Sequence, residues 1–109
     1  QNRGGAVDVL VRGARVVGLG PTPYLVDVAI NYGDGVAQTG PRVNEVGDLA
    51  AVVALDTIDA TGLFLHPAPA MLTVEDGRRW LRIGNPAAFV LSPSETDARA
   101  AGHVRFPRQ

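Results

Sequence analysis

His66 and His103, with the four most closely grouped carboxylates Asp56, Asp59, Glu75 and Asp76, are the side chains with which this 109-residue chain could hold a metal or move a proton. A hydrolytic metal centre uses several such ligands and keeps one position open for water. The two histidines show no ligand spacing. His66 is expected as a strand-end side chain at the surface or an edge, and His103, alternating with Val104, as a solvent-facing one. A carboxylate acid–base pair needs environments that drive its two pKa values apart. The simpler expectation for these four is a role in turns and caps at strand ends. Ser92 and Ser94 lack the Gly-x-Ser-x-Gly context of a nucleophile elbow. Gly18-Leu19-Gly20-Pro21 has neither the third glycine nor the following helix of a dinucleotide loop. The sequence therefore assigns no catalytic, cofactor-binding or metal-binding residue. Arg78-Arg79-Trp80-Leu81-Arg82 is the one basic aromatic cluster, with Trp80 and Arg82 on one strand face and Arg79 and Leu81 on the other. It suits a partner-binding patch or, the favoured reading, an arginine lying over the indole.

Composition narrows the chemistry further. All ten basic residues are arginine, so there is no lysine for a Schiff base, a phosphate loop or a carboxylated metal bridge. The absence of cysteine removes disulfides and thiolate metal sites. A formal net charge of −1 provides no general field for nucleic acid or an anionic membrane, and neither is expected as a partner. No apolar run approaches the ~18 residues of a membrane span, and no basic-then-apolar segment resembles a signal peptide. A cytoplasmic location is the resulting expectation. Gln1 in place of Met suggests a processed or trimmed chain. A hydrophobic content of 46% is ample for one compact domain.

Short strands punctuated by Gly and Pro fill the chain. Val7, Val9 and Val11 share one face opposite Asp8, Leu10 and Arg12, and Arg12-Gly13-Ala14 reads as a tight turn into a second strand. Residues 24–30 place Val26, Val28 and Ile30 opposite Leu25, Asp27 and Ala29. Asn31-Tyr32-Gly33-Asp34-Gly35 is a hairpin signal, with Val36 to Thr39 as the return strand and a loop over residues 40–48. Periodicity leaves residues 49–55 open between helix and strand. Ala60-Thr61-Gly62 separates two short strands, and Asp76-Gly77 joins two more. Gly84-Asn85-Pro86 turns the chain into a strand at 88–91, residues 94–99 suit one helical turn capped by Ser94, and 103–106 forms a closing strand. The fold class is all-β, a small β-sandwich or barrel.

Two blocks resemble one known family. Asp8-Val9-Leu10-Val11-Arg12-Gly13-Ala14-Arg15-Val16-Val17, Val26-Asp27-Val28-Ala29-Ile30 and Gly35-Val36-Ala37-Gln38-Thr39-Gly40 lead to the most specific stretch, Ile58-Asp59-Ala60-Thr61-Gly62-Leu63-Phe64-Leu65-His66-Pro67. This first block resembles the opening of metal-dependent amidohydrolases, a superfamily that includes dihydroorotases, hydantoinases, allantoinases and D-aminoacylases. Ile83-Gly84-Asn85-Pro86-Ala87-Ala88-Phe89-Val90-Leu91-Ser92-Pro93 resembles the motif with which that family re-enters its small domain after the catalytic barrel, with Ala88 where the family carries Asp.

The resemblance implies a composite β domain built from segments that normally flank a TIM barrel. Residues 1–67 correspond to the pre-barrel segment, 68–70 to a short, extended Ala-Pro-Ala join, and 71–109 to the post-barrel segment, all within a single domain 1–109. Where the family continues with Gly-Phe-Ile-Asp and then a metal-binding His-x-His pair, this chain reads Ala68-Pro69-Ala70-Met71. The implied function is that of a non-catalytic, structural β domain with no cofactor of its own. The alternatives are a fragment of a metal-dependent hydrolase of cyclic amides or other C–N bonds, whose divalent metal would be zinc, and a small binding module. Whether the chain belongs to an enzyme stays open at this point. The face that a barrel would occupy is expected to be covered by a second copy, as a homo-oligomer, or by a partner chain.

Overall fold

Strand β1 (Val7–Val16) organises the molecule, because both of its edges are paired along almost their whole length. The structure is a computed structural model, and it describes residues 6–33 and 40–107. On one edge β1 pairs antiparallel with β2 (Tyr24–Tyr32), from Val9↔Ile30 to Val16↔Tyr24. On the other edge β4 (Ala54–Asp59) runs parallel to its first half and β5 (Phe64–Pro67) to its second.

The tight turn expected at Arg12-Gly13-Ala14 is instead a β-bulge inside one uninterrupted strand. The register with β2 shifts between Val11 and Ala14, and Gly13 takes φ 69°, which a residue with a Cβ adopts only under strain. The displaced backbone groups find partners without reversing the chain. Gly13 N–H donates to Asp27 Oδ1 at 2.8 Å, and Arg12 C=O accepts from Ala60 N–H at 2.8 Å. The Ala60-Thr61-Gly62 turn, closed by Leu63 N–H to Ala60 C=O at 2.9 Å, sits against the bulge.

A second difference concerns residues 40–48, which form strand β3 (Pro41–Gly47) rather than a loop. Val43 is the one residue of β3 buried outright, so no period-two stripe betrays the strand in the sequence. Its ladder partners are non-local. β2 pairs with one edge, while Val43 N–H donates to Asn85 C=O at 2.9 Å and Gly84 N–H to Val43 C=O at 2.8 Å on the other. The return strand expected at Val36 to Thr39 lies outside the described residues, as do Asp34 and Gly35 of its turn.

β8 (Phe89–Ser92) pairs antiparallel with β5, and β9 (Val104–Phe106) with β8. Because the segment just before β8 bonds to β3, the sheet curls back toward its own first edge. The fold is all-β, a mixed seven-stranded, barrel-like sheet in the order β3-β2-β1-β5-β8-β9, with β4 also beside β1. The hairpin β6 (Leu72–Glu75) and β7 (Arg78–Leu81) forms a separate two-stranded sheet. Its Asp76-Gly77 turn matches expectation, with positive φ at both residues (52° and 76°).

Inside the curl lie Val11, Val16, Val28, Ile30, Leu65 and Leu91, with the Phe89 and Phe106 rings stacked at 4.9 Å. The opposite face of β1 and β2 is not wholly polar: Leu10 and Ala29 are buried with Val7 and Leu49. The Ala-Pro-Ala join is not extended either. Pro69–Met71 forms a 3-10 turn, since proline's fixed φ suits the first helical position, and the turn drives Met71 fully into the core. Residues 94–99 make turns rather than a helix. Ser94 Oγ does accept cap-like bonds from Thr96 and Asp97 N–H, but Ser92 Oγ donates to Asp97 C=O at 2.7 Å and anchors the segment to β8 instead.

Candidate functional site

The most developed concavity runs along the edge of β7. It is an open groove of about 690 Å³, walled on one side by residues 19–22, Tyr24 and Val46 and on the other by Arg78–Leu81. Sequence alternation explains how it is floored. Leu19, Val46 and Leu81 are only partly buried and pack down against the main core. Trp80 and Tyr24 remain 48% and 55% exposed, so these two rings are not core residues. Arg78 and Arg79 are exposed, and among the described residues no acidic one lines the groove. Arg82, by contrast, points its guanidinium at Glu75, 3.6 Å away. The site thus offers two π faces, an apolar floor and two guanidinium groups. Such a set is suited to stacking, apolar and anion contacts.

The residues with potential chemistry are dispersed, and the histidines, Asp59, Glu75 and Ser92 are already engaged. His66, on β5, is half-buried and its Nε2 donates to Ser94 C=O at 2.9 Å. His103 is exposed and its Nδ1 donates to Ala100 C=O at 3.0 Å. In each ring the nitrogen that faces a carbonyl must carry the proton, which removes that atom from metal ligation. Among the described residues, no three His, Asp or Glu side chains come together to hold a metal ion.

Asp56 and Asp59 lie on β4, and Glu75 and Asp76 on the separate hairpin. Asp59 sits below the usual carboxylate pKa range because Thr61 hydrogen-bonds to it through both its side chain and its backbone N–H, the latter at 3.0 Å, with a smaller contribution from Arg12. That is the signature of a turn cap. Asp76 supplies the left-handed turn residue and Glu75 pairs with Arg82. Ser92 is fully buried, but its hydroxyl donates to Asp97 C=O and accepts from Ser94 N–H, so it serves the fold.

Sequence reading found the Arg78–Leu81 wall of the groove and missed the other. Tyr24 and Val46 had no distinguishing pattern, and they reach the groove only because β2 begins and β3 ends beside β7. It also missed Asp27, whose two carboxylate oxygens accept from Gly13 N–H at 2.8 Å and Leu49 N–H at 3.0 Å. The mutual role of Asp8 and Asn31 was missed too. They clamp the start of β1 to the end of β2, with Asp8 N–H donating to Asn31 Oδ1 and Tyr32 N–H to Asp8 Oδ2.

The fold and groove define the class at the level of an all-β, barrel-like domain with an aromatic and cationic surface groove. Comparison with known protein families, with curated proteins and with solved structures finds no match to this chain. Among the described residues, no helix is long and apolar enough to cross a membrane.

Proposed function

We propose that the chain is a non-catalytic structural β domain of the amidohydrolase composite type, without the metal-binding barrel of that family. The observation that carries this reading is the β5–β8 ladder. Phe64↔Ser92, Leu65↔Leu91, His66↔Val90 and Pro67↔Phe89 pair the last strand before the join with the first strand after the hairpin. Residues on both sides of the join thereby share one sheet and one core, as the two flanks of an excised barrel must. In this reading the chain carries no cofactor of its own, and the zinc of a parent enzyme belongs to the barrel. Among the described residues β4 has β1 as its one strand partner, and Val53 just before it and Leu55 on it are 61% and 78% exposed. The edge of β4 away from β1 is the surface the reading assigns to a barrel, a partner chain or a second copy.

The test exploits the join. Pro69 and Ala70 are exposed while Met71 is buried, so the chain opens to solvent just there. A folded domain with adjacent termini, inserted between Pro69 and Ala70, should leave the β domain folded. Loop-closure entropy grows slowly with length, so the expected loss is about 1–2 kcal/mol in chemical denaturation. Loss of cooperative unfolding of the β domain in the insertion variant, with the inserted domain itself folded, would count against a composite origin.

A further inference from the structure

We infer that the groove along β7 is a docking site for an acidic, extended peptide segment, which adds to β7 as a third strand of the hairpin sheet. This inference does not depend on the proposed ancestry of the domain.

The first support is the backbone. All four residues of β7 and none of β6 line the groove, so it follows the edge of β7 that faces away from β6. Antiparallel ladders alternate bonded and non-bonded residue pairs. The two-residue Asp76-Gly77 turn makes Glu75↔Arg78 a bonded pair, so Thr73↔Trp80 is the next, and Arg82 N–H to Met71 C=O at 3.4 Å continues the same series. The N–H and C=O groups of Arg79 and Leu81 consequently point away from β6, along the groove edge. β7 has no second strand partner among the described residues. An edge of this kind is a template for strand addition, and main-chain bonds supply affinity while flanking pockets select side chains.

The second support is charge. Arg78 and Arg79 are exposed and have no ion-pair partner among the described residues, in a groove with no acidic lining and on a chain of net charge −1. A second copy of β7 is a poor occupant, because antiparallel self-pairing centred on Trp80 sets Arg78 opposite the other copy's Arg82 and Arg79 diagonal to its own counterpart, and like charges across strands are destabilising. An incoming strand with carboxylates at alternate positions presents them on one face, opposite Arg79, while Arg78 on the other face of β7 adds attraction of the same sign at longer range. Its intervening apolar side chains then meet the exposed rings of Trp80 and Tyr24 and the floor formed by Leu19 and Val46. Aromatic and arginine side chains of this kind dominate recognition surfaces.

The experiment uses the full chain and a fluorescein-labelled peptide of about eight residues alternating glutamate and valine, long enough to span β7 at ~3.3 Å per residue. Binding is followed by anisotropy and by the intrinsic fluorescence of Trp80, the single tryptophan of the chain. Saturable binding that perturbs Trp80 emission and weakens with salt is expected. Arg78→Glu with Arg79→Glu should reduce affinity roughly tenfold or more while leaving the melting temperature near that of the parent. A version N-methylated at alternate residues, which removes strand bonds and keeps the charges, should bind at least as weakly. The inference is overturned if a lysine–valine peptide binds equally well, if N-methylation has no effect, if an oligonucleotide displaces the peptide at lower concentration, or if no binding occurs up to millimolar peptide.

Discussion

Replacing Leu65 by Ala should destabilise the domain by about 2–5 kcal/mol, the range for emptying a fully buried leucine site that collapses only partly. Leu65 has no solvent exposure and sits where the two flanks of the join meet, opposite Val16 of β1 on one side and Leu91 of β8 on the other. Its carbonyl also accepts from Val17 N–H at 3.0 Å, so neighbouring backbone cannot move inward freely to fill the void. For a domain of this size the midpoint of thermal unfolding should fall by roughly 4–8 °C for each kcal/mol lost. Leu55→Ala on β4 is the matched control. Leu55 is 78% exposed, and its truncation should stay within about 0.5 kcal/mol of the parent. Equal melting temperatures for the two variants would contradict the packing described for β5.

Asp27→Ala should come next in effect, at about 2–4 kcal/mol, because it strips acceptors from two partly buried backbone N–H groups at once. One carboxylate oxygen holds Gly13 N–H in the β1 bulge and the other holds Leu49 N–H, where the chain turns down over Leu10 and Ala29. The carboxylate thus ties the bulge to the segment that covers the smaller core cluster. Asp27→Asn retains a single acceptor oxygen, so it should fall between Ala and the parent in urea denaturation. Amide hydrogen exchange should accelerate at both Gly13 and Leu49 in Asp27→Ala and more at one of them than at the other in Asp27→Asn. Unchanged exchange at these two amides would show that the carboxylate does not hold them.

These two residues also mark how far the sequence can be read. The role of Leu65 was visible in part: Leu63, Phe64 and Leu65 announce a strand, and the Ala60-Thr61-Gly62 turn before it is where expected. The role of Asp27 was not, since its partners lie 14 and 22 positions away in the chain. The same distinction accounts for the other differences. Local signals located β2, the Asp76-Gly77 hairpin and the closing strand. A glycine with positive φ fits both a turn and a bulge, and only the long-range bonds to Asp27 and Ala60 decide for the bulge at Gly13. β3 escaped notice because it buries Val43 alone and receives half of its ladder from residues 84–87. Pro69 was read for stiffness, yet the burial of Met71 selects the helical one of the two conformations proline permits. At the groove, Arg78, Arg79 and Trp80 stood out as a cluster, whereas Tyr24 and Val46 acquire meaning only through the strand ends that carry them.

The domain-level reading and the groove are compatible physically. The β5–β8 ladder and the curled sheet bury the conventional core, and the β6–β7 hairpin lies off that sheet, with the outer edge of β7 free of a strand partner among the described residues. A hairpin that does not complete the main sheet is free to serve recognition.

Hydrolysis of dihydroorotate, hydantoin and an N-acetyl amino acid by zinc-supplemented protein, measured with and without chelator, tests the non-catalytic reading most directly. No chelator-sensitive turnover above the zinc-only background is expected. Turnover that is lost on chelation, restored by stoichiometric zinc and co-purifies with the chain would contradict it.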